Sequence, residues 1–436
     1  MKKLFLMLTA GMLAFAACTK DEGVTSSETS SVETVLTGLV QIGDAVDNDS
    51  YTVTYYGEEG SDSTVAVVEG KINEDFTFTK ELYWVLDGRV FVTGAELTIE
   101  AGTIVMGETG TGLDASSLVI ATDGTINATG TSSSPIIFTT VIDNIMLGDL
   151  SGTNLDESNR GLWGGLVLLG ESIISATGTG ATAQIEGIPT TETLGAYGGT
   201  TDDDNSGVLS YISIRHGGAS IEADKEINGL TLGGVGSGTT VNNIEIIGNS
   251  DDGIEFFGGS VNVTNLLIWN VTDDGIDIDQ SYSGTVSNFY VITDGGVTDN
   301  CLEIDGPEST TNATGFFTLI NGRIEGPGTT STIVDALAFC KSSAQGTIEN
   351  VYWTNFNAAD HADADGQAII LDGSSDITFT LCQFDDAYAF YNESSTATII
   401  STTAANGMQQ VSADPAYATL SDFDWTYAAE SSAGSL

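Results

Sequence analysis

The segments NSDDGIEFFGG (Asn249–Gly259) and VTDDGIDIDQS (Val271–Ser281) repeat one pattern: paired aspartates, a glycine, and then alternating apolar and acidic residues. Segments 228–232 (NGLTL) and 300–304 (NCLEI) align with 252–256 and 274–278, and the four segments lie at spacings of 24, 22 and 26 residues. Alternation at every second position indicates short β-strands with one buried face. A fixed period of this length indicates stacked structural repeats.

A second column of repeats lies between these segments, in NNIEI, TNLLI, SNFYV and ENVYW. Its asparagines are Asn243, Asn265, Asn288 and Asn350. A buried amide without a partner is costly, so we expect Asn243, Asn265 and Asn288 to form a structural ladder in which each side chain bonds its copy in the next repeat. Two columns with one period mean that each repeat carries at least two strands.

Strands this short cannot fold alone, but each can pair with its copy about 4.8 Å away in the next repeat. The sequence therefore predicts an all-β fold, a single-stranded right-handed parallel β-helix with caps at both ends, because parallel connections are right-handed by default. We place the β-helix at residues 81–398. An N-terminal β cap is expected at residues 35–80 and a C-terminal cap at residues 399–436.

The composition is strongly acidic, with 61 Asp and Glu against 11 Lys and Arg and a formal net charge of -50. Nucleic-acid partners are disfavoured, because phosphate binding requires basic side chains. Besides Cys18 the cysteines are Cys301, Cys340 and Cys382, and their wide spacing predicts buried thiols rather than disulfides or a zinc site.

The N-terminus has a basic start, an apolar stretch and small residues before Cys18. This pattern resembles a bacterial lipoprotein signal peptide at residues 1–17, with Cys18 as the lipidated residue and residues 18–34 as a polar tether. Residues 19–22 resemble the tag that directs lipoproteins of Bacteroidetes-type bacteria to the outer face of the outer membrane. We therefore expect an anchored protein facing the cell exterior, in contact with the membrane only through its lipid.

Several segments carry a family resemblance, among them LTIEAGTIVMG, GLWGGLVLLG, YGGTTDDDNSGVLSYISIRHGGA and DDGIEFFGG. They resemble a family of Bacteroidetes right-handed β-helix surface lipoproteins, over residues 82–306. The resemblance implies the fold and carries no assigned activity.

The acidic side chains should crowd on one face of the coils. Glu255, Asp277 and Glu303 point outward on successive coils, since their neighbours point inward. Carboxylates this close repel one another unless a cation bridges them, and oxygen ligands with flexible spacing suit Ca²⁺. The sequence therefore predicts a calcium site, and its predicted ligands are Asp251, Glu255, Asp273, Asp277, Asp279, Glu303 and Asp305. The alternative is a solvated acidic face with turn-forming aspartates.

Two enzymatic readings use the same region. Paired aspartates on adjacent coils resemble the polygalacturonase-type glycosidases, with Asp252, Asp274 and Asp277 as catalytic candidates. The Gly-His-Gly and Arg-Ile-Lys segments of that family do not occur here. A polysaccharide lyase would need calcium and a basic residue near the acids, for which Lys225 and Arg215 are considered.

The sequence favours a calcium-stabilised binding or adhesion module for an extracellular polysaccharide or another surface component. The alternative is a carbohydrate-active enzyme, either a polysaccharide lyase or a polygalacturonase-like glycoside hydrolase.

Overall fold

A computed structural model describes residues 36–436 except 179–180, 222–225, 294, 296, 329–335, 357–368 and 393–397. The predicted signal peptide (1–17), tether (18–34), Cys18 and Lys225 lie outside the described residues. The fold is an all-β parallel β-helix, which confirms the fold class that the repeats predict. Its core consists of inward-facing aliphatic and aromatic side chains from every coil.

The chain begins with antiparallel strands. Val40–Gln41 and Val46–Asp47 both pair with Tyr51–Gly57, which pairs in turn with Val65–Ile72. Val65–Ile72 also pairs in parallel with Tyr83–Leu86. Parallel stacking therefore begins at Val65, inside the segment expected to be the N-terminal cap.

One continuous parallel sheet, here called the site sheet, presents one strand per coil. Each strand pairs in register with its copy on the next coil. Its strands are Arg89–Val92, Ser117–Ile120, Leu166–Leu169, Leu230–Gly233, Ile254–Phe257, Ile276–Asp279, Leu302–Ile304, Ala338–Cys340, Ile369–Leu371 and Ala389–Asn392, and Thr398–Ile399 pairs antiparallel with the last of them.

A second parallel sheet, the ladder sheet, is bent along its length. In the middle coils each strand continues through the bend, as in Gly207–Arg215, Thr240–Ile247, Asn262–Trp269, Thr285–Ile292, Phe317–Glu325 and Gln345–Thr354. In the outer coils the two halves are separate strands, namely Phe76–Phe78, Tyr83–Leu86, Glu96–Ile99, Ile104–Gly107, Thr125–Thr129, Ile136–Thr140, Asp376–Thr380, Cys382–Phe384 and Met408–Gln410.

The asparagine column lies at this bend. Asn265 donates to Asn243 at 2.9 Å and Asn288 donates to Asn265 at 2.7 Å, so the side chains form a ladder across three coils. Each of these asparagines has φ between 53° and 58°, in the left-handed region that asparagine tolerates better than most residues. Asn321 extends the column and accepts from Asn350 at 3.1 Å. Asparagine at these positions therefore both tolerates the left-handed backbone conformation of the corner and forms the hydrogen bonds of the ladder.

An insertion between Leu166–Leu169 and Gly207–Arg215 covers part of the outer face of the site sheet. It contains the antiparallel strands Ala183–Gln184 and Ala196–Tyr197 and a 3-10 turn at Thr193–Gly195. Its apolar side chains pack on outward-facing residues of the early coils, in a cluster of Phe91, Val119, Val167, Leu169, Ile174, Ala176, Ile185, Ile188, Tyr197, Ile227 and Phe257. We call residues 170–206 the roof loop.

The C-terminal segment pairs with the last coil and then continues along the side of the solenoid. Met408–Gln410 still pairs with Cys382–Phe384, after which residues 411–436 run back along the outer face of the ladder sheet. This strap contains a 3-10 turn at Leu420–Phe423 and a short α-helix at Tyr427–Glu430. Its apolar residues pack on Ile247, Leu267, Trp269, Tyr290 and Ile292.

Two buried carboxylates on the solenoid hold the strap. Glu245 accepts from the backbone N–H of Ala428 at 2.9 Å, and Glu325 accepts from the hydroxyl of Ser435 at 2.7 Å. Arg215 and Arg323 lie beside Glu245 and Glu325 as counter-charges. The predicted cap at 399–436 is thus mostly a lateral strap, and Arg215 lies beneath this strap rather than on the acidic face.

Candidate metal centre

The predicted acidic column lies on the outer face of the site sheet. Glu255 stands in register with Asp277, and Asp277 with Glu303. Asp279 is in register with Phe257 on the preceding coil. The sheet thus stacks the carboxylates one strand spacing apart, because the parallel register places equivalent residues of successive repeats directly above one another.

The column is not a solvated surface. Glu255 is 5% exposed, Asp277 is 8% exposed, and the turn residues Asp252 and Asp274 are 5% and 2% exposed. These four carboxylates therefore lie at the floor of a depression. The sequence does not predict this burial, because it does not reveal that the roof loop rises beside the column.

The depression is a cavity of about 410 Å³. Within the part of the chain that the structure describes, every residue lining it carries a carboxyl group. Glu186 of the roof loop, half-buried Glu226 and exposed Asp273 lie at the mouth. The full lining is Glu186, Glu226, Asp251, Asp252, Glu255, Asp273, Asp274, Asp277 and Glu303. Glu186 and Glu226 were not predicted, since neither belongs to a repeat.

The aspartate at each turn also supports the next coil. Asp252 accepts from the backbone N–H of Asp274 at 2.8 Å, and Asp274 accepts from that of Asn300 at 2.7 Å. The glycine that follows each aspartate is required by the stacking of the coils rather than by its own backbone conformation. Gly253 and Gly275 do not have positive φ; instead a Cβ on Gly253 would lie 2.7 Å from the carbonyl oxygen of Gly275, so the close approach of successive coils requires glycine.

Burial and mutual repulsion favour the neutral acids here. Burial raises the pKa of Asp251 to about 7, and the charges of Glu186 and Asp273 add to the shift. Burial and the charge of Asp305 raise the pKa of Asp279 to about 8. Burial is also the first cause, and neighbouring carboxylates the second, of pKa values well above the ordinary range for Asp252, Glu255, Asp274 and Asp277. A bound cation would reverse these shifts.

The carboxylates converge in threes. Within each of four groups, ligand oxygens lie within 4.8 Å of one another. This spacing fits oxygen atoms that share one cation with bonds of 2.3–2.6 Å. The groups are Asp251/Asp252/Asp273, Asp252/Glu255/Asp277, Asp273/Asp274/Asp299 and Asp274/Asp277/Glu303.

One carboxylate oxygen in this cavity lacks a protein partner. Oδ1 of Asp277 is buried and accepts no hydrogen bond from the described residues. Above it, Glu255 accepts from the side chain of Asn228 at 2.5 Å. A buried oxygen without a donor is costly, and a metal ion satisfies it.

A lysine lies at one end of the acidic column, and the sequence did not predict its position there. Lys341 Nζ lies 2.8 Å from Glu303 and 3.2 Å from Asp305. Burial lowers the pKa of Lys341, but the hydrogen bond and charge of Glu303 outweigh it and raise the pKa above its ordinary value. Glu303 and Asp305 therefore have a counter-charge from the protein, unlike the carboxylates at the cavity floor.

The catalytic candidates Asp252, Asp274 and Asp277 all reach the cavity. Ligand oxygens of Asp252 and Asp277 lie within 4.8 Å, as do those of Asp274 and Asp277. An inverting glycosidase separates its two carboxyl groups by about 6.5–9.5 Å to admit water between them. The facing oxygen atoms of these pairs approach within 4.8 Å, a distance that suits a shared cation.

Fold and cavity together define a parallel β-helix protein with an acidic site on the outer face of one sheet. Residues 70–428 match the pectate-lyase-like β-helix domain, and the chain belongs to that family. No curated protein and no solved structure matches the chain. The family fits either a carbohydrate-active or a binding role. Among the described residues, no helix has the length and apolar character to cross a bilayer.

Proposed function

We propose that this protein is a calcium-dependent binding module for extracellular anionic polysaccharide, displayed on a bacterial outer membrane through a lipid on Cys18. The observation that carries the proposal is the cavity of about 410 Å³ that carboxylates line, with the unpartnered oxygen of Asp277 at its floor. The ligand set contains oxygen alone, which favours Ca²⁺ over zinc.

The choice of an anionic ligand follows from coordination and charge. Calcium takes six to eight oxygen ligands, and an ion held at an accessible cavity keeps positions for ligand oxygens. Direct binding of a uronate to a body with a net charge of -50 would be repelled, so calcium must form the bridge. The regular face of a solenoid suits an extended chain.

Placement at the cell surface rests on the amino-acid sequence alone. The signal-like residues 1–17, Cys18 and the polar residues 18–34 support it. Metabolic labelling with a fatty-acid analogue, with Cys18→Ala as the unlabelled control, tests the anchor. Protease accessibility on intact cells tests the orientation.

Binding to polygalacturonate and alginate, with a neutral glucan as control, tests the proposal. We expect retention by the anionic glycans in calcium and release by a chelator. Asp277→Asn should abolish retention, whereas Asp376→Asn, which removes an exposed carboxylate elsewhere on the solenoid, should preserve it. Retention that persists in chelator, or equal retention on the neutral glucan, would contradict the proposal.

The second candidate is a calcium-dependent polysaccharide lyase, and Lys341 is the observation that favours it. Its ammonium group lies beside Glu303 at the edge of the cavity, where a basic residue could act on a bound uronate. Its raised pKa opposes this role, since a base must be unprotonated. Formation of unsaturated products from polygalacturonate, lost in Lys341→Met, would establish the lyase.

A further inference from the structure

We infer that the acidic cavity holds two divalent cations, one coil apart and bridged by Asp277; this inference rests on the calcium binding proposed above. The groups of three carboxylates recur from one coil to the next. The group Asp252/Glu255/Asp277 becomes Asp274/Asp277/Glu303 when each residue is replaced by its equivalent on the next coil. The two groups are therefore one ligand set displaced by one coil.

The groups nearer the turn repeat in the same way. Advancing Asp251/Asp252/Asp273 by one coil gives Asp273/Asp274/Asp299. We call Asp252/Glu255/Asp277 and Asp274/Asp277/Glu303 the floor groups and the other two the turn groups. Each floor group has a turn group beside it, and the two share Asp252 on the upper coil and Asp274 on the lower coil. Together they offer one upper set of Asp251, Asp252, Glu255, Asp273 and Asp277 and one lower set of Asp273, Asp274, Asp277, Asp299 and Glu303, enough oxygen atoms for a six- to eight-coordinate ion in each.

The repeat ends after two copies. One coil earlier, Asn228 and Thr231 occupy the positions of Asp252 and Glu255, and the Asn228 side chain donates to Glu255 instead of offering a carboxylate. One coil later, Asn300 replaces Asp274 and Phe339 stands in register with Glu303. A third copy of the set, shifted by one coil in either direction, would contain no more than one carboxylate.

Asp277 belongs to both floor groups, and its Oδ1 is the buried oxygen that lacks a partner. A carboxylate between two cations uses one oxygen for each. Two ions displaced by one strand spacing would lie about 4.8 Å apart, which is longer than the roughly 3.5–4 Å of catalytic two-metal sites but which one carboxylate can span with Ca–O bonds of about 2.3–2.6 Å. The geometry therefore gives Asp277 the bridging position.

The two sites should differ in affinity. Glu303, a ligand of the lower set only, shares its carboxylate with Lys341 at 2.8 Å, whereas Glu255 of the upper set has the neutral partner Asn228. The ammonium group competes with an ion at the lower site. We therefore expect a tighter upper and a weaker lower ion.

The experiment is a calcium count on metal-free protein, by equilibrium dialysis with elemental analysis and by titration calorimetry. We expect two ions per chain in two steps. Glu255→Gln should weaken the tighter step at least tenfold, Glu303→Gln should weaken only the weaker step, and Asp277→Asn should weaken both. Asp376→Asn should retain two ions and both steps.

The count on the unaltered protein decides between the outcomes, and thermal unfolding checks that each variant is folded. One ion per chain would overturn the two-ion inference and leave the proposed function standing. No bound ion would overturn both. Two ions whose affinities are unchanged by Asp277→Asn would overturn the bridge, because a shared ligand cannot be removed without affecting both sites.

Discussion

The carboxylate of Asp252 accepts a hydrogen bond of 2.8 Å from the backbone N–H of Asp274, its equivalent one coil later. Asp274 repeats the contact with Asn300 at 2.7 Å. Each turn aspartate therefore holds the next coil in place while its carboxylate lines the cavity. Coil stacking and the acidic site thus depend on the same side chains, which links the stability of the solenoid to pH and to calcium.

Without metal, the protein should lose stability as the pH rises. Folding raises the pKa of Asp251 from 3.8 to about 7 and that of Asp279 from 3.8 to about 8, mainly through burial. Between the ordinary and the raised values the folded state binds more protons than the unfolded state. The free energy of unfolding should therefore fall by about 1.4 kcal/mol per pH unit for each extra proton bound.

Thermal unfolding of metal-free and calcium-saturated protein at pH 5 and pH 8 measures this dependence. We expect the metal-free protein to melt at a lower temperature at pH 8, and calcium to reduce the difference because it holds the carboxylates that bind it ionised in the folded state. A metal-free protein that is more stable at pH 8 than at pH 5 would contradict the expectation.

The asparagine ladder should contribute through both its hydrogen bonds and its backbone conformation. Asn265 donates to Asn243, accepts from Asn288, and has φ of 58°. Asn265→Gly keeps the corner accessible and removes the bonds, at an expected cost of about 1–3 kcal/mol. Asn265→Ala adds the left-handed strain, about 1–2 kcal/mol more. Denaturant unfolding of both variants separates the two contributions, and equal losses would show that the conformation contributes nothing.

Leu381 occupies the same corner on a later coil, and a substitution at this position should increase the stability of the fold. Glu349 pairs with Thr380 and Tyr352 with Gln383, which places Leu381 opposite Asn350. Leu381 has φ of 51° and is 55% exposed, so its side chain gains little from packing. We expect Leu381→Asn to raise the free energy of unfolding by about 1 kcal/mol through relief of the left-handed strain. Leu381→Ala is the control, and an Asn variant no more stable than the Ala variant would refute the assignment.

The strap should stabilise the ladder sheet without affecting the metal centre. Phe423 is fully buried and its ring lies 6.4 Å from that of Tyr290. Phe423→Ala should cost about 3–5 kcal/mol and should expose residues 411–436 to proteolysis. Calcium affinity should be unchanged, because the cavity lies on the site sheet. Ser421→Ala, at an exposed strap position, is the control, and a parallel loss of calcium binding in Phe423→Ala would show that the two faces are coupled.

The register of the acidic column was predictable from the sequence, because a stacked repeat converts equal spacing in the chain into proximity in space. Asp252, Asp274 and Asn300 fall on successive coils as their spacing requires. Asn321 was missed because Gly322 follows it where the other four segments have a large apolar residue. The left-handed corner was missed because spacing carries no information on φ.

The environment of the column was not predictable. The roof loop, which places Glu186 at the mouth, lies between repeats and has no internal pattern. Lys341 follows an insertion of irregular length, so its position beside Glu303 depends on a register that the sequence does not show. Burial of Glu255 and Asp277 follows from these neighbours rather than from alternation along the strand, which specifies only that both side chains point outward.

Lys341 gives the sharpest test of competition between a protein cation and a metal ion. Its ammonium group pairs with Glu303 and Asp305 and lies 5.1 Å from the ring centre of Phe339. Lys341→Met should free Glu303 and tighten calcium binding at the lower site by about tenfold, equivalent to about 1.4 kcal/mol. The metal-free variant should be less stable by no more than about 1 kcal/mol, since the pair is partly exposed.

Lys71→Met is the matched control for this change. Lys71 also pairs with a glutamate, Glu192, at 2.8 Å and lies 5.7 Å from a phenylalanine ring centre, but neither residue lines the cavity. Calorimetric titration with calcium should therefore distinguish the two variants. If Lys341→Met binds calcium no more tightly than Lys71→Met, the ammonium group does not compete with the ion, because removing a competing cation must increase the affinity at the site it had occupied.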